Sequence, residues 1–535
     1  MKRFFRSFTL VLLVLGLSSC ISLFWPLDIL TGKLPVVARE QGEQVLYSNL
    51  FAHSTMRLYY LWNEEVTDRL KAWKDDGDPA KQVLAARFRD SATGEEIDHW
   101  TQYLDNYDDF VSYVSGESDA SYGLGLQLRY ADDEKRRVMA VVTFTYPGGP
   151  AEAAGLKRGD RIMELNSQVL WVSNYEEVVP GALSGAAPVT LTLSDDRVVT
   201  LNPVAMYEDP VLLYKVLDFG TERVGYLFYN KFTLESYKRL NEACQAFRAA
   251  GISDLILDLR YNTGGYALAE QFLASLLAPE PVVEAGGVLS MDIYNAGLTE
   301  YFAGRDEDTK TYFTQDFSFT VEGKRYRFST RGANVRVGRL FAIVEDNTAS
   351  ASESLLCDLK AFMPVTLVGA RTHGKYCSGL PLSAAEFYDD YSEQLGARRA
   401  EEGKRYTENR GMYVMISRFA DKNGVTLCMP DGLAPDVAVE DNPLDGYALG
   451  DPSESMLSAA LAACGHGPAA KQRSAGVPRL ERVPGALRGE GYRILNLHPV
   501  DADAAALHSA EPGHLPFGKL VDGDGELLPH FVEGE

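Results

Sequence analysis

The stretch "DLILDLRYNTGGYALAEQFLASLLA", Asp254–Ala278, decides how this chain is read. Its opening, "DLILDLR", is a short apolar run bounded by charge, the pattern of a strand buried on both faces. "NTGG" punctuates it, and from Tyr266 apolar residues return at three- and four-residue spacing, which predicts a helix. The same alternation extends on both sides. "RVGYLFYNKF" (Arg223–Phe232) and "RLFAIVE" (Arg339–Glu345) read as strands, "SASESLLCDLKAF" (Ser350–Phe362) as a helix, and "VTLVGA" (Val365–Ala370) as a strand. Strands alternating with helices argue for a sheet with helices on its faces. Residues 206–466 therefore read as one mixed α/β domain. Within it, "FSFTVEGKRYRFST" (Phe317–Thr330) predicts a hairpin turning at Glu322-Gly323.

Upstream the texture changes. "YGLGLQLRY" (Tyr122–Tyr130) and "RRVMAVVTF" (Arg136–Phe144) read as strands. "GGPAEAAGLKRGDRIMELNSQ" (Gly148–Gln168) reads as a turn, a short helix, a turn at Lys157–Asp160 and a strand. Residues 117–205 thus predict a small β domain. Residues 44–116 read mainly as helix, with Tyr59, Tyr60 and Trp62 as core, and residues 20–43 as a tether. The N-terminus has a basic start (Lys2, Arg3, Arg6) and an apolar run from Phe8 to Leu17, too short to span a bilayer. The last residues, 467–535, rich in Ala, Gly, Pro and Arg and then acidic, are expected to be loosely ordered and without chemistry.

The bulk properties narrow the function. At 535 residues the chain has room for several domains, and a net charge of −23 argues against nucleic acid and against electrostatic docking on anionic lipid. Cys244, Cys357, Cys377, Cys428 and Cys464 are scattered without CxxC pairs, and there is no HExxH, so no metal and no cofactor is implied. "GARTHGK" (Gly369–Lys375) has most of a P-loop after a strand, but Tyr376 stands where Ser or Thr is needed and "CSGLP" does not form a helix.

Three serines, Ser350, Ser352 and Ser354, alternate in "NTASASESLL" (Asn347–Leu356). Ser350 follows a buried strand and a polar turn and opens a helix, where unpaired N–H groups and the helix dipole would hold an oxyanion. An N-cap would look the same. A nucleophilic serine needs a base. His373 and Lys375, in "GARTHGKYCSG" (Gly369–Gly379), are the candidates in range.

Several ordered motifs resemble peptidase family S41, the C-terminal processing or tail-specific proteases. They are "DLRYNTGG" (Asp258–Gly265), "TASASE" (Thr348–Glu353), "THGK" (Thr372–Lys375) and "DGLAPDVAV" (Asp431–Val439). "GLGL" (Gly123–Leu126), "GPAEAAGL" (Gly149–Leu156) and "GDRIMELN" (Gly159–Asn166) resemble a bacterial-protease PDZ domain. The resemblance implies a multidomain α/β protein with a helical N-terminal region, a PDZ-like β domain and a ClpP/crotonase-like α/β protease core. It implies Ser350 as nucleophile, Lys375 as base, and N–H groups of Gly264, Gly265 and Ala351 as oxyanion hole. A substrate C-terminus would be held near Tyr122, Gly123, Leu124, Gly125 and Leu126, with Leu128 on the same face as Leu124 and Leu126. The substrates implied are proteins or peptides. "LSSC" resembles a bacterial lipobox, which implies lipidation of Cys20 and a membrane-anchored envelope protein of the Gram-negative type. One departure stands out: Gly379 occupies the position, four after the lysine, where many members carry a Gln that orients it. Ser378 or Thr348 is then expected to orient the amine, and His373 to be cleft wall. Two other readings follow: a non-catalytic peptide-binding lipoprotein with a lapsed dyad, and an acyl-CoA enzyme on the related crotonase fold.

Overall fold

The computed structural model describes residues 36–183, 186–321, 324–467, 480–483 and 492–494. Cys20 and the N-terminal apolar run lie outside the described residues. Among those residues, no helix is long and apolar enough to cross a membrane.

The α/β region is built on two sheets. The first runs, in spatial order, Leu213–Asp218, Arg223–Phe228, Asp254–Asp258, Arg339–Val344, Val365–Gly369 and Val437–Ala438. Its first pair is antiparallel and the remaining pairs are parallel. The three central strands bury essentially every side chain, as their unbroken apolar runs predicted. Helices Tyr237–Ala250, Ala267–Leu277, Ala351–Lys360 and Ser455–Cys464 supply the apolar faces that cover them. The predicted hairpin is present, Asp316–Val321 pairing antiparallel with Lys324–Ser329.

The second sheet contains Cys377–Ser383, the long strand Gly411–Asp421, Val288–Tyr294 and Lys310–Tyr312. Strand Gln102–Leu104 from the N-terminal region adds to Gly411–Asp421. That region is therefore less helical than its periodicity suggested. Helices Val36–Leu58, Thr67–Lys71, Pro79–Ala86 and Tyr107–Ser115 are interrupted by the strand and by irregular chain. The first helix begins at Val36, inside the stretch read as tether. Tyr59, Tyr60 and Trp62 are buried in a core shared with the α/β region, so the N-terminal segment is one wall of it and not a separate body.

Residues from Glu117 to Tyr207 form the small β domain. Strands Leu124–Tyr130, Val138–Thr145, Arg161–Leu165, Val189–Leu193 and Val198–Leu201 make one antiparallel sheet with helix Tyr175–Leu183 packed beside it. Leu124–Tyr130 is its edge strand.

Two short pieces of the C-terminal extension are ordered on the rest of the molecule. Residues 480–483 lie along the edge strand Leu124–Tyr130, and Tyr492–Ile494 forms a strand in the second sheet.

Two buried ionic contacts seat the β domain on the α/β region. Arg158, from the Lys157–Asp160 turn, pairs with Asp441 at 2.7 Å and lies 3.5 Å from Glu454. Beside it, Arg260 of "DLRYNTGG" chelates Asp258 and reaches Asp441 at 2.9 Å and Glu454 at 2.7 Å. Arg260 and its three carboxylate partners, Asp258, Asp441 and Glu454, have fully buried side chains.

Candidate active site

The Gly-Gly turn after strand Asp254–Asp258 is fixed by Asn262. Its side chain donates to the Tyr229 carbonyl (2.9 Å) and accepts from the Gly264 N–H (2.9 Å). Its carbonyl receives the Ala349 N–H (3.1 Å) and the Ser352 hydroxyl (3.1 Å). One asparagine thus ties the "NTGG" turn to the serine segment. Gly265 is at φ +145°, and a Cβ there would stand 2.2 Å from the Phe232 carbonyl oxygen, so no other residue fits.

Ser350 sits at the N-cap of helix Ala351–Lys360, fully buried, at φ 59° and ψ −111°. That backbone is rarely adopted by a side-chain-bearing residue and costs about 1–3 kcal/mol, a strain that clusters at functional sites. Its Oγ is buried with no hydrogen-bond partner among the described residues. Lys375 is also fully buried. Its Nζ donates to the Tyr413 hydroxyl at 3.2 Å and lies 5.3 Å from the centre of the Trp100 ring. The two segments meet at Glu353. One oxygen accepts from the N–H groups of Ser350 (3.0 Å) and Lys375 (2.9 Å). The other accepts from the Thr372 hydroxyl (2.5 Å) and the Gly374 N–H (2.7 Å). Burial pushes the Glu353 carboxyl up to about 7 against the pull of these donors.

The sequence-predicted residues fare unevenly. Ser350, Ala351, Lys375 and the Gly264–Gly265 turn converge through Asn262 and Glu353. Ala351 opens the helix, where an amide has no carbonyl of its own helix to bond. The Gly264 N–H does not face an open site, because Asn262 Oδ1 accepts it. Ser352 is structural, as expected. Thr348 does not orient the lysine, since its hydroxyl donates to the Leu259 carbonyl and accepts from the Glu345 N–H. The Ser378 hydroxyl donates to Asp292. His373 stands beside Trp100, with ring centres 6.3 Å apart, consistent with cleft wall.

Sequence reasoning missed Tyr413, Trp100 and the role of Glu353. Gly379 explains Tyr413. A Cβ at 379 would lie 2.3 Å from the Tyr413 ring, so the missing side chain is what admits the tyrosine whose hydroxyl meets the amine. We expect Tyr413→Phe to lower kcat up to about tenfold with KM little changed, as loss of one buried hydrogen bond of about 1 kcal/mol that aims the amine implies. Gly379→Gln alone will displace the ring and cost about 1–3 kcal/mol, and Gly379→Gln with Tyr413→Ala will recover part of that in urea denaturation. Additive losses in that double-mutant cycle would refute the packing account.

In the β domain, the Tyr122 hydroxyl donates to the Ala187 carbonyl (2.6 Å) and the Gly123 N–H donates to Ser121 Oγ (2.9 Å). Gly125 lies under the Phe144 ring, and Leu124 and Leu126 pack half-buried on the domain's core. The Gly123 amide is therefore occupied where a free carboxylate-binding donor was expected.

A strained, buried serine at a helix N-terminus and a buried lysine thus share the Glu353 carboxylate, with a small β domain ahead of them in the chain. Residues 223–439 match the profile of Peptidase family S41, and residues 114–193 that of the PDZ domain. The α/β region is thus similar to Peptidase family S41 and the β domain ahead of it to the PDZ domain, which makes the chain a serine-type peptidase. It is 26% identical over 388 residues to the carboxyl-terminal-processing protease of Picosynechococcus sp. (69% of this chain, 77% of that one). It is 25% identical over 374 residues to that of Synechocystis sp. (67% and 72%). A Bacteroides fragilis protein assigned to the S41 proteases shares the fold, with a TM-score of 0.55 at 20% identity over 78% of this chain and 97% of that one.

Proposed function

We propose that this chain is an endopeptidase of exported proteins that works through a Ser350/Lys375 dyad. The observation that carries the reading is that one buried carboxylate, Glu353, holds the backbone of both residues. In the reaction, Ser350 Oγ bonds to the scissile carbonyl carbon while its proton passes to the neutral Lys375 amine. The ammonium returns that proton to the departing peptide nitrogen as the C–N bond breaks. Water then hydrolyses the acyl-serine by the same proton route. The developing oxyanion would sit at the helix N-terminus, near the Ala351 N–H. Hydrogen bonds at such sites are commonly long before substrate binds, which fits the unbonded Ser350 Oγ. The reading of a lapsed dyad rests on Gly379, and the Tyr413 hydroxyl, which meets the amine, supports a working dyad over it.

The PDZ domain supports capture of C-termini or unfolded segments by strand addition to Leu124–Tyr130. An unfolded protein with a free C-terminus should be cleaved, and the same protein amidated at that end should be cleaved more slowly. Equal rates would remove C-terminal recognition, and no cleavage at any pH from 6 to 9 would remove the peptidase reading. Lipidation of Cys20 would anchor the chain in a Gram-negative-type envelope, since acyl chains gain about 0.8 kcal/mol per buried CH₂. Cys20→Ala should then release the protein from isolated membranes; tight association of that variant would defeat the anchor.

Glu353 also sets a pH dependence. Its folded carboxyl keeps its proton up to about 7, against an ordinary value of 4.5 in the unfolded chain. Between those values the folded state binds more protons, so stability falls as pH rises through the window and is level above it. The stability of wild type relative to Glu353→Gln should therefore decline by roughly 3 kcal/mol from pH 4.5 to 8. A flat difference in urea midpoints would contradict this.

A further inference from the structure

The described residues of the C-terminal extension touch the rest of the molecule at two places, and both are strand edges. At the first, residues 480–483 add antiparallel to the PDZ edge strand. Arg482 pairs opposite Arg129, the Tyr130 N–H donates to the Glu481 carbonyl (2.9 Å), and the Val483 N–H donates to the Leu128 carbonyl (3.0 Å). Val483 is buried in the domain's own core cluster, beside residues of helix Tyr175–Leu183. Arg482 is anchored on Asp346 and, at 3.3 Å, on Glu345, both within five residues of Ser350. Direction, edge and pocket are those by which a PDZ domain takes a peptide strand.

At the second place, the strand Tyr492–Ile494 runs parallel to Gly264–Tyr266 on one side and meets Gly379 of strand Cys377–Ser383 on the other. Among the described residues it is the strand that joins Gly264–Tyr266 to that sheet, the other edge of Gly264–Tyr266 being bridged by Phe232. The gap it fills is flanked by the Gly-Gly turn that Asn262 ties to the serine segment and by the strand that begins two residues after Lys375. Extended backbone there lies between the turn and the strand next to the two residues of the proposed dyad.

We propose that residues 480–483 and 492–494 act as an intramolecular ligand, the first piece on the PDZ edge and the second beside the candidate active site, so that the enzyme is held closed by its own C-terminal extension. The inhibitory consequence rests on the peptidase reading above, whereas the binding does not. Tethering makes short contacts sufficient, because a linked segment acts at an effective concentration of ~mM without high intrinsic affinity. Substrates would open the enzyme by competing for the same two edges.

The test uses the full chain. Val483→Asp places a charge in the PDZ pocket, and Arg493→Pro removes a backbone donor and strand geometry in the cleft. Each should raise kcat/KM on an unfolded protein at least tenfold, and a synthetic peptide of residues 478–496, added in trans, should inhibit both variants while a scrambled peptide does not. In Val483→Asp the Tyr130 amide should also exchange with solvent faster, which a merely destabilised domain would show only alongside the whole PDZ sheet. Binding is read separately: the labelled peptide should raise anisotropy on the Ser350→Ala/Val483→Asp chain, which cannot cleave it. Variants no more active than an active wild type, or absence of peptide binding to that chain, would overturn the proposal. If wild type and variants are all inactive yet the peptide binds, the peptidase reading fails and the tail assignment stands as a ligand.

Discussion

Replacing Ser350 or Lys375 by alanine will bring cleavage of an unfolded protein to background, a loss on the order of 10⁴-fold or more, while Ser352→Ala will keep most of the activity. The three positions are close in sequence but differ in what their side chains do. Ser352 Oγ donates to the Asn262 carbonyl, so its loss removes one buried hydrogen bond worth about 1 kcal/mol and leaves the reacting atoms in place. Ser350 Oγ has no structural partner to lose. Its backbone strain is kept by alanine, which meets the same penalty at φ 59°, so thermal midpoints should match wild type and the kinetic comparison is clean. Lys375→Ala removes the base and leaves the Tyr413 hydroxyl facing a void, so its midpoint should fall somewhat as well. An inactive Ser352→Ala beside an active Ser350→Ala would reverse the assignment. Equal residual activity in all three would place the chemistry elsewhere.

The largest effect on stability is expected from Arg260→Ala. Arg260 is fully buried and satisfies Asp258, Asp441 and Glu454 at once. Removing it leaves three buried carboxylates to the single guanidinium of Arg158. Breaking one buried pair costs about 3–5 kcal/mol because the orphaned charge stays desolvated, and a domain holds only about 5–15 kcal/mol in all. The variant should be largely insoluble or unfolded at 37 °C. Arg158→Ala should be milder, since Arg260 remains, and should loosen the PDZ domain from the core. Burial opposes the charge on Asp441, yet Arg158 and Arg260 hold it well below the usual carboxylate range, and the short bond from Tyr261 helps. A loss under about 1 kcal/mol for Arg260→Ala, by urea denaturation, would mean that water or rearrangement satisfies the cluster.

The strands and helices of the α/β region were legible because their signals are local. Unbroken apolar runs sit on both-side-buried strands, and the helix after "NTGG" follows its own periodicity. The pairing of Ser350 with Lys375 came from motif order, and the structure adds the reason for their meeting in Glu353. That hub was in plain view inside "TASASE", but nothing in a lone acidic residue says that four donors will converge on it. Trp100 and Tyr413 were beyond reach because they arrive from distant segments whose contacts depend on tertiary packing. The two short ordered pieces of the extension, 480–483 and 492–494, were beyond reach for a related reason: so short a strand gains its order from the edge it joins and not from its own composition.

Gly379 and Tyr413 have a consequence that reaches past this chain. A side chain at 379 and a ring at 413 claim the same volume, and in this chain it is the ring's hydroxyl that meets the lysine amine. The two positions should therefore co-vary: members with a glutamine at the first will carry a smaller residue at the second, and members with glycine will carry tyrosine. Such a pair is two exclusive ways of filling one space beside the amine, and a lineage can cross between them only by changing both.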